Sequence, residues 1–126
     1  MNLQIRAYNQ DEDYHKLLEL ISSEGDEWKS YLEPRYKSNL EHSTTLVAFV
    51  NDQLCGYSRA LEDKGYFIWV LDLLVHKDYR GHSIGKKLMD QMRIDFPGHD
   101  VYVMSDVDEY YAKMGFKKEG SIFKVE

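Results

Sequence analysis

The run GYFIWVLDLLV, residues 65 to 75, is the most apolar stretch of the chain and is rich in aromatic and branched side chains. A run of that kind is a central strand of a sheet. It leads into DYRGHSIGKKLMD, residues 78 to 90, where Gly81 and Gly85 bracket a short loop and a helical pattern starts at once. From about Ser83 to Asp95, Ile84, Leu88 and Met92 recur at helical spacing with Met89 and Phe96 beside them. Lys86, Lys87 and Asp90 point away from that stripe, and Pro97 and Gly98 end the helix. A buried strand that turns through glycines into an amphipathic helix belongs to an α/β domain.

The rest of the chain supplies the partners. LQIRAYN alternates Leu3, Ile5 and Ala7 with polar neighbours, as a half-buried strand does. QDEDYHKLLELISSEG has acids in its first turn, Tyr14, Leu17, Leu18 and Ile21 at helical spacing, and Gly25 as its stop. Residues 26 to 40 carry Trp28, Tyr31, Leu32, Tyr36 and Leu40, a second helix broken or bent by Pro34. TTLVAFV and QLCGYSRAL, joined by a turn at Asn51 and Asp52, form a hairpin. After the glycine loop and its helix, DVYVMS is a strand, DVDEYYAKMG a short helix closed by Gly115, and FKKEGSIFKVE a terminal hairpin. The order β-α-α-β-β-β-α-β-α-β-β implies a mixed sheet with helices on both faces. With 126 residues and no linker, repeat or low-complexity tract, residues 1–126 form one domain.

Composition narrows the partners. Hydrophobic content of 43% with 30% charged residues is globular rather than disordered. The net charge, 16 − 22 = −6, argues against nucleic acid. No apolar run approaches ~20 residues, so no membrane span is expected. The start MNLQIRAYNQ lacks a signal-peptide core, and a cytoplasmic protein is expected. Cys55 stands alone as a small hydrophobe, and the five histidines have no ligand spacing, so no metal is expected. Charge is unevenly spread. Residues 11 to 27 hold Asp11, Glu12, Asp13, Glu19, Glu24, Asp26 and Glu27 against Lys16 alone, which a solvated helix face would explain. Residues 76 to 93 hold Lys77, Arg80, Lys86, Lys87 and Arg93 against Asp78 and Asp90, and they coincide with the glycine loop.

A glycine-flanked turn entering a helix start is a place for an anion, because the first N–H groups have no internal partner and the macrodipole is positive there. The nucleotide P-loop needs four residues between its glycines and then Lys followed by Ser or Thr. Here three residues intervene and GKK follows. The dinucleotide pattern Gly-x-Gly-x-x-Gly is absent. LDLLVHKDYRGHSIGKKLM instead resembles the acetyl-CoA-binding motif of the GNAT N-acetyltransferases, Arg/Gln-x-x-Gly-x-Gly/Ala. Arg80 fills the first position and Gly85 the last, while Ser83 departs from the pattern where the family has glycine. DEYYAKMGF resembles the family's later segment, and the element order is also the family's.

The resemblance implies a GNAT acyltransferase fold and transfer of an acetyl group from acetyl-CoA to an amine of a small molecule or protein, with coenzyme A as product. It implies that backbone N–H groups of Arg80, Gly81, His82, Ser83, Ile84, Gly85 and Lys86 hold the pyrophosphate. Arg80 would add charge, and Lys86 or Lys87 would reach the adenosine 3′-phosphate. It also implies a bulge that splays two parallel strands near Leu73, Leu74 and Val75, freeing backbone groups for the pantetheine amides. Leu73 and Val75 would line the acetyl pocket or the core. Tyr111 matches the tyrosine that protonates the leaving thiolate, while its neighbour Tyr110 is expected to face the sheet.

No general base is assigned. Trp69 stands where some members have a glutamate, simple alternation turns Asp72 the other way unless the bulge redirects it, and Glu24, Asp26, Glu27 or a water chain to solvent are the other candidates. Asp26, Glu27, Trp28 and Tyr31 are candidates for an acceptor pocket that draws a positively charged amine. A non-catalytic acyl-CoA-binding module and a longer acyl donor are the alternatives. A monomer or homodimer is expected.

Overall fold

The structure, a computed structural model, describes residues 1–126. Five strands make one sheet in the order β1 (Leu3–Ala7), β2 (Thr44–Val50), β3 (Gln53–Asp63), β4 (Phe67–Val75) and β5 (Asp100–Val103). The first four pair antiparallel and β5 joins β4 in parallel. The helices are α1 (Gln10–Glu24), α2 (Arg35–His42), α3 (Ile84–Asp95) and α4 (Asp108–Lys113). A 3-10 segment, Asp26–Leu32, links α1 to the Pro34 turn that starts α2.

Local chemistry explains the boundaries. Asn51 and Asp52 both take positive φ, 49° and 69°, as the two-residue turn of a right-twisted hairpin requires. Asn9 caps α1 by accepting from the Glu12 N–H at 3.1 Å. Asp13, read from sequence as part of a solvated acidic face, is instead fully buried. Arg6 of β1 grips it with two bonds of 2.7 and 2.8 Å, and the Asn9 N–H adds a third at 2.8 Å. Burial pushes this carboxyl up, but Arg6 and Asn9 outweigh that and hold it below its ordinary value. The start of α1 is thereby pinned to the sheet.

Each face of the sheet has its own core. On one face Ile84, Leu88, Met89 and Met92 of α3 pack on Ala48, Ala60, Ile68 and Val70. On the other, Leu17, Leu20 and Ile21 of α1 and Tyr36 and Leu40 of α2 pack on Val47, Phe49, Tyr57 and Leu74. Each buried Leu, Ile or Met contributes about 1.5–3 kcal/mol relative to exposure, so the α3 stripe read from sequence is what seats the glycine loop.

The terminal hairpin expected from FKKEGSIFKVE does not form. Residues 116–126 carry no regular structure, and Ile122, Phe123 and Val125 are 64%, 86% and 95% exposed. Adjacent Ile122 and Phe123 would point to opposite faces of a strand, so the segment offers no single apolar side to dock, and a hairpin without one is marginal in water.

Candidate active site

The site lies where β4 outlasts its parallel neighbour. Pairing with β5 covers Phe67 to Val70 and ends at the bond from the Met104 N–H to the Val70 carbonyl, 2.9 Å. β4 runs on to Val75 paired only with β3, so its outer edge from Leu71 to Val75 has no strand partner. The expected bulge is present: Arg59 and Ala60 face Asp72 and Val70, leaving Leu71 as the extra residue of β4. The extra residue reverses the pleat. Ile68 and Val70 pack on the α3 side, yet Leu74 lies in the opposite core and Asp72 bonds Tyr36 of α2. Val75 belongs to the α3 core, and the half-buried Leu73 packs against it.

The turned Asp72 is a buried hub on the α1–α2 side of the sheet. Its Oδ2 accepts from Arg59 Nε at 2.6 Å and from the Tyr36 hydroxyl at 2.5 Å, and Tyr36 shares a bond of 2.9 Å with the Tyr57 hydroxyl. Arg59 also donates to Ser43 Oγ at 3.1 Å. Oδ1 takes no hydrogen bond within the protein, and it is not among the atoms sealed from solvent. Burial and then the Asp72 charge push the Tyr36 phenol well above its ordinary value. Tyr31 is raised by burial first, then by Asp72, with Asp106 adding to the effect. Its ring packs against Trp28 at 5.0 Å and Tyr36 at 4.9 Å. Trp28 and Tyr31 therefore stand beside Asp72, whereas Asp26 and Glu27 are exposed on the same 3-10 segment.

At the C-terminal end of β4 the loop forms an anion cradle. From Arg80 to Lys86 no backbone N–H has a partner, and the first helical bond of α3 is Lys87 N–H to the Ser83 carbonyl, 3.0 Å. Gly81 has φ +86°, and Ser83 has φ 61° and ψ 23°. Left-handed residues at alternate positions turn successive N–H groups toward one point, the geometry of an anion nest. Ser83 occupies a conformation that suits glycine, and its hydroxyl does not cap the helix.

Arg80 anchors the cradle, with Nε donating to the Val75 carbonyl at 3.0 Å and Nη2 to both oxygens of Glu24 at 2.7 and 2.8 Å. Glu24, sited at the unfavourable C-terminal end of α1, is compensated by that guanidinium, and Nη1 stays free. Lys86 pairs with Asp90 at 3.0 Å, while His82 and Lys87 are exposed.

Tyr111 lies in α4 with its ring parallel to Phe116 at 6.3 Å. Burial raises its phenol to about 12, with Tyr110 and Asp106 adding to the shift. Asp106, in the β5–α4 connection, raises both the Tyr111 and the Tyr31 phenol. Tyr110 does not face the sheet. It is 41% exposed, and its hydroxyl stands against Gly85 at the start of α3. Sequence reasoning missed this contact, together with the Glu24–Arg80 pair and the Arg59–Asp72 pair, because each joins residues that no periodicity relates.

Comparison with known proteins agrees with this geometry. Residues 41–118 match the family model described as an acetyltransferase (GNAT) domain. An uncharacterized N-acetyltransferase, ycf52, of Porphyra purpurea is 28% identical over 115 residues, covering 83% of this chain and 65% of the relative. Its counterpart in Pyropia yezoensis is 26% identical over 121 residues, covering 88% of this chain and 68% of the relative. The chain thus spans about two thirds of the length of the curated relatives it matches. PaiA N-acetyltransferase from Thermoplasma acidophilum, solved in complex with coenzyme A, superposes with a TM-score of 0.78 at 19% identity, covering 97% of this chain and 94% of that one. The ribosomal-protein-alanine N-acetyltransferase of Brucella melitensis biovar Abortus 2308 gives 0.77 at 19% identity, covering 100% and 99%. At such identities the solved structures speak for the fold, and the family model speaks for descent. The chain belongs to the GNAT acetyltransferase family.

Proposed function

We propose that the chain is an acetyl-CoA-dependent N-acetyltransferase whose acceptor is a positively charged amine of a small molecule or protein. The observation that carries this reading is the run of unpartnered N–H groups from Arg80 to Lys86, beside the free edge of β4. Seven donors with a guanidinium next to them fit a diphosphate, and the free edge fits an arm bearing amides. When bound, acetyl-CoA supplies the activated thioester acyl group.

The chain's own residues supply the rest. The loop from Arg80 to Lys86 holds the phosphates through its backbone, and Leu73 to Val75 align the pantetheine arm as an added strand. With its phenol raised to about 12, Tyr111 carries its proton throughout the neutral range and is the acid for the leaving sulfur. Asp72, fixed through Oδ2 by Arg59 and Tyr36, keeps Oδ1 for the acceptor's amine. A carboxylate already shared between a guanidinium and a phenol orients that amine, and the amine's proton leaves to solvent. Trp28 and Tyr31 give aromatic faces to a cation, and Asp26 and Glu27 attract it from outside.

Release of CoA thiol, measured across matched cationic and anionic amines, tests the reading. Release that depends on a cationic acceptor is expected. Tight CoA binding with no release for any amine would overturn it in favour of an acyl-CoA-binding module.

A further inference from the structure

Gly85 is buried at the second residue of α3, and a Cβ built there would overlap the Tyr110 hydroxyl oxygen and meet Met114 Cε at 3.6 Å. The missing side chain is therefore a seat for α4, which sets a phenol over the first turn of α3. Burial raises the Tyr110 phenol, and the charge of Arg80 pulls it part of the way back. The phenol remains protonated at neutral pH, and its hydroxyl has no hydrogen-bond partner in the protein. Three kinds of donor belong to this end of β4: the free N–H groups of the loop, Arg80 Nη1 beside the Val75 carbonyl, and Tyr110 Oη against Gly85.

We propose that Tyr110 binds the cofactor's pyrophosphate, its hydroxyl donating to a phosphate oxygen above Gly85, so that α4 closes the anion site opened by the β4–α3 loop. The inference rests on the reading of that loop as the acetyl-CoA site. It divides the tyrosine pair by role. Tyr110 Oη serves the phosphates, and Tyr111 serves the reacting end. Tyr110 is a binding residue in this account and takes no part in proton transfer.

Two measurements on the full chain test it with Tyr110→Phe, which keeps the ring over Gly85 and removes only the hydroxyl. The first is calorimetric titration of CoA and of adenosine 3′-phosphate 5′-diphosphate. The second is turnover of S-acetylpantetheine, a donor with no phosphate. A donor to a charged oxygen is worth about tenfold in affinity. The expected result is a loss of about that size for both phosphorylated ligands, with S-acetylpantetheine turnover and thermal midpoint unchanged. Equal CoA affinity in variant and wild type would overturn the proposal. Tighter binding by the variant would overturn it too, since the hydroxyl would then be a plug. An equal fall in S-acetylpantetheine turnover would also overturn it, because the effect would not run through phosphate. Failure of the wild type to bind CoA would instead overturn the reading of the loop.

Discussion

Replacing Asp72 with asparagine isolates the bulge-turned carboxylate. Asp72 is 5% exposed and the Arg59 side chain 10%, so the pair is almost dry. Removing one partner of such a pair costs about 3–5 kcal/mol, because the other charge stays buried without compensation. An asparagine oxygen still accepts from Tyr36 Oη, which places Asp72→Asn at the low end, about 3 kcal/mol. Unfolding entropy near the midpoint is about 2.1 cal/mol/K per residue, or about 265 cal/mol/K for the 126 residues. The midpoint should then fall by about 11 °C in differential scanning calorimetry. Arg59→Met alone leaves Asp72 uncompensated and should cost as much or more. The double variant should cost less than the sum of the singles by about 2 kcal/mol. Single losses below about 1 kcal/mol, or strict additivity, would refute the reasoning, since the pair would then be an ordinary solvated one.

Three further outcomes follow from the same geometry. Tyr111→Phe should lower kcat by about 10²-fold with cofactor affinity held within a few-fold. Since burial places its phenol at about 12, the wild-type rate should show no fall on the basic side up to about pH 10.5 that the variant lacks. A stopped pH–rate series on both proteins checks this. Ser83→Gly removes a left-handed L-residue worth about 1–2 kcal/mol and adds about 0.5–1 kcal/mol of chain entropy, so urea titration should show a gain of about 0.5–1 kcal/mol, with CoA affinity equal or better. Asp13 has a lowered carboxyl, so its stabilisation is fully present above the unfolded value of about 3.9 and is lost as pH falls through the folded one. Asp13→Asn should therefore be less stable at pH 7, with the gap to wild type closing below about pH 4.

The sheet, the α3 stripe and the glycine loop were legible in the sequence because each rests on a local period or a local turn. Leu88 and Met92 announce a helix face, and Gly81 announces a left-handed turn, without knowledge of any partner. Asp72 was not legible, because one extra residue at Leu71 reverses the parity of everything after it, and alternation carries no mark of where the insertion falls. Glu24 and Arg80 lie 56 positions apart, so only the packed fold reveals that the acidic end of α1 meets the basic loop. Asp13 was misread for a related reason. Acids in a first helical turn usually face water, and only the approach of Arg6 makes burial affordable for this one. The terminal segment failed in the opposite sense, since branched and aromatic residues at 122–125 carry β propensity but no one-sided pattern to dock.

The most direct test of the central claim is calorimetric titration of CoA into the wild type, Gly81→Asn and Gly81→Asp. Nothing lies within 4 Å of a Cβ placed on Gly81, so neither side chain clashes, and both carry the same left-handed strain at φ +86°. They differ by one negative charge in the cradle, worth about 1–2 kcal/mol against a bound diphosphate. One-to-one CoA binding by the wild type and retention within a few-fold by Gly81→Asn are expected, with Gly81→Asp binding about five- to thirtyfold more weakly than Gly81→Asn. Equal CoA affinity in the asparagine and aspartate variants would contradict it.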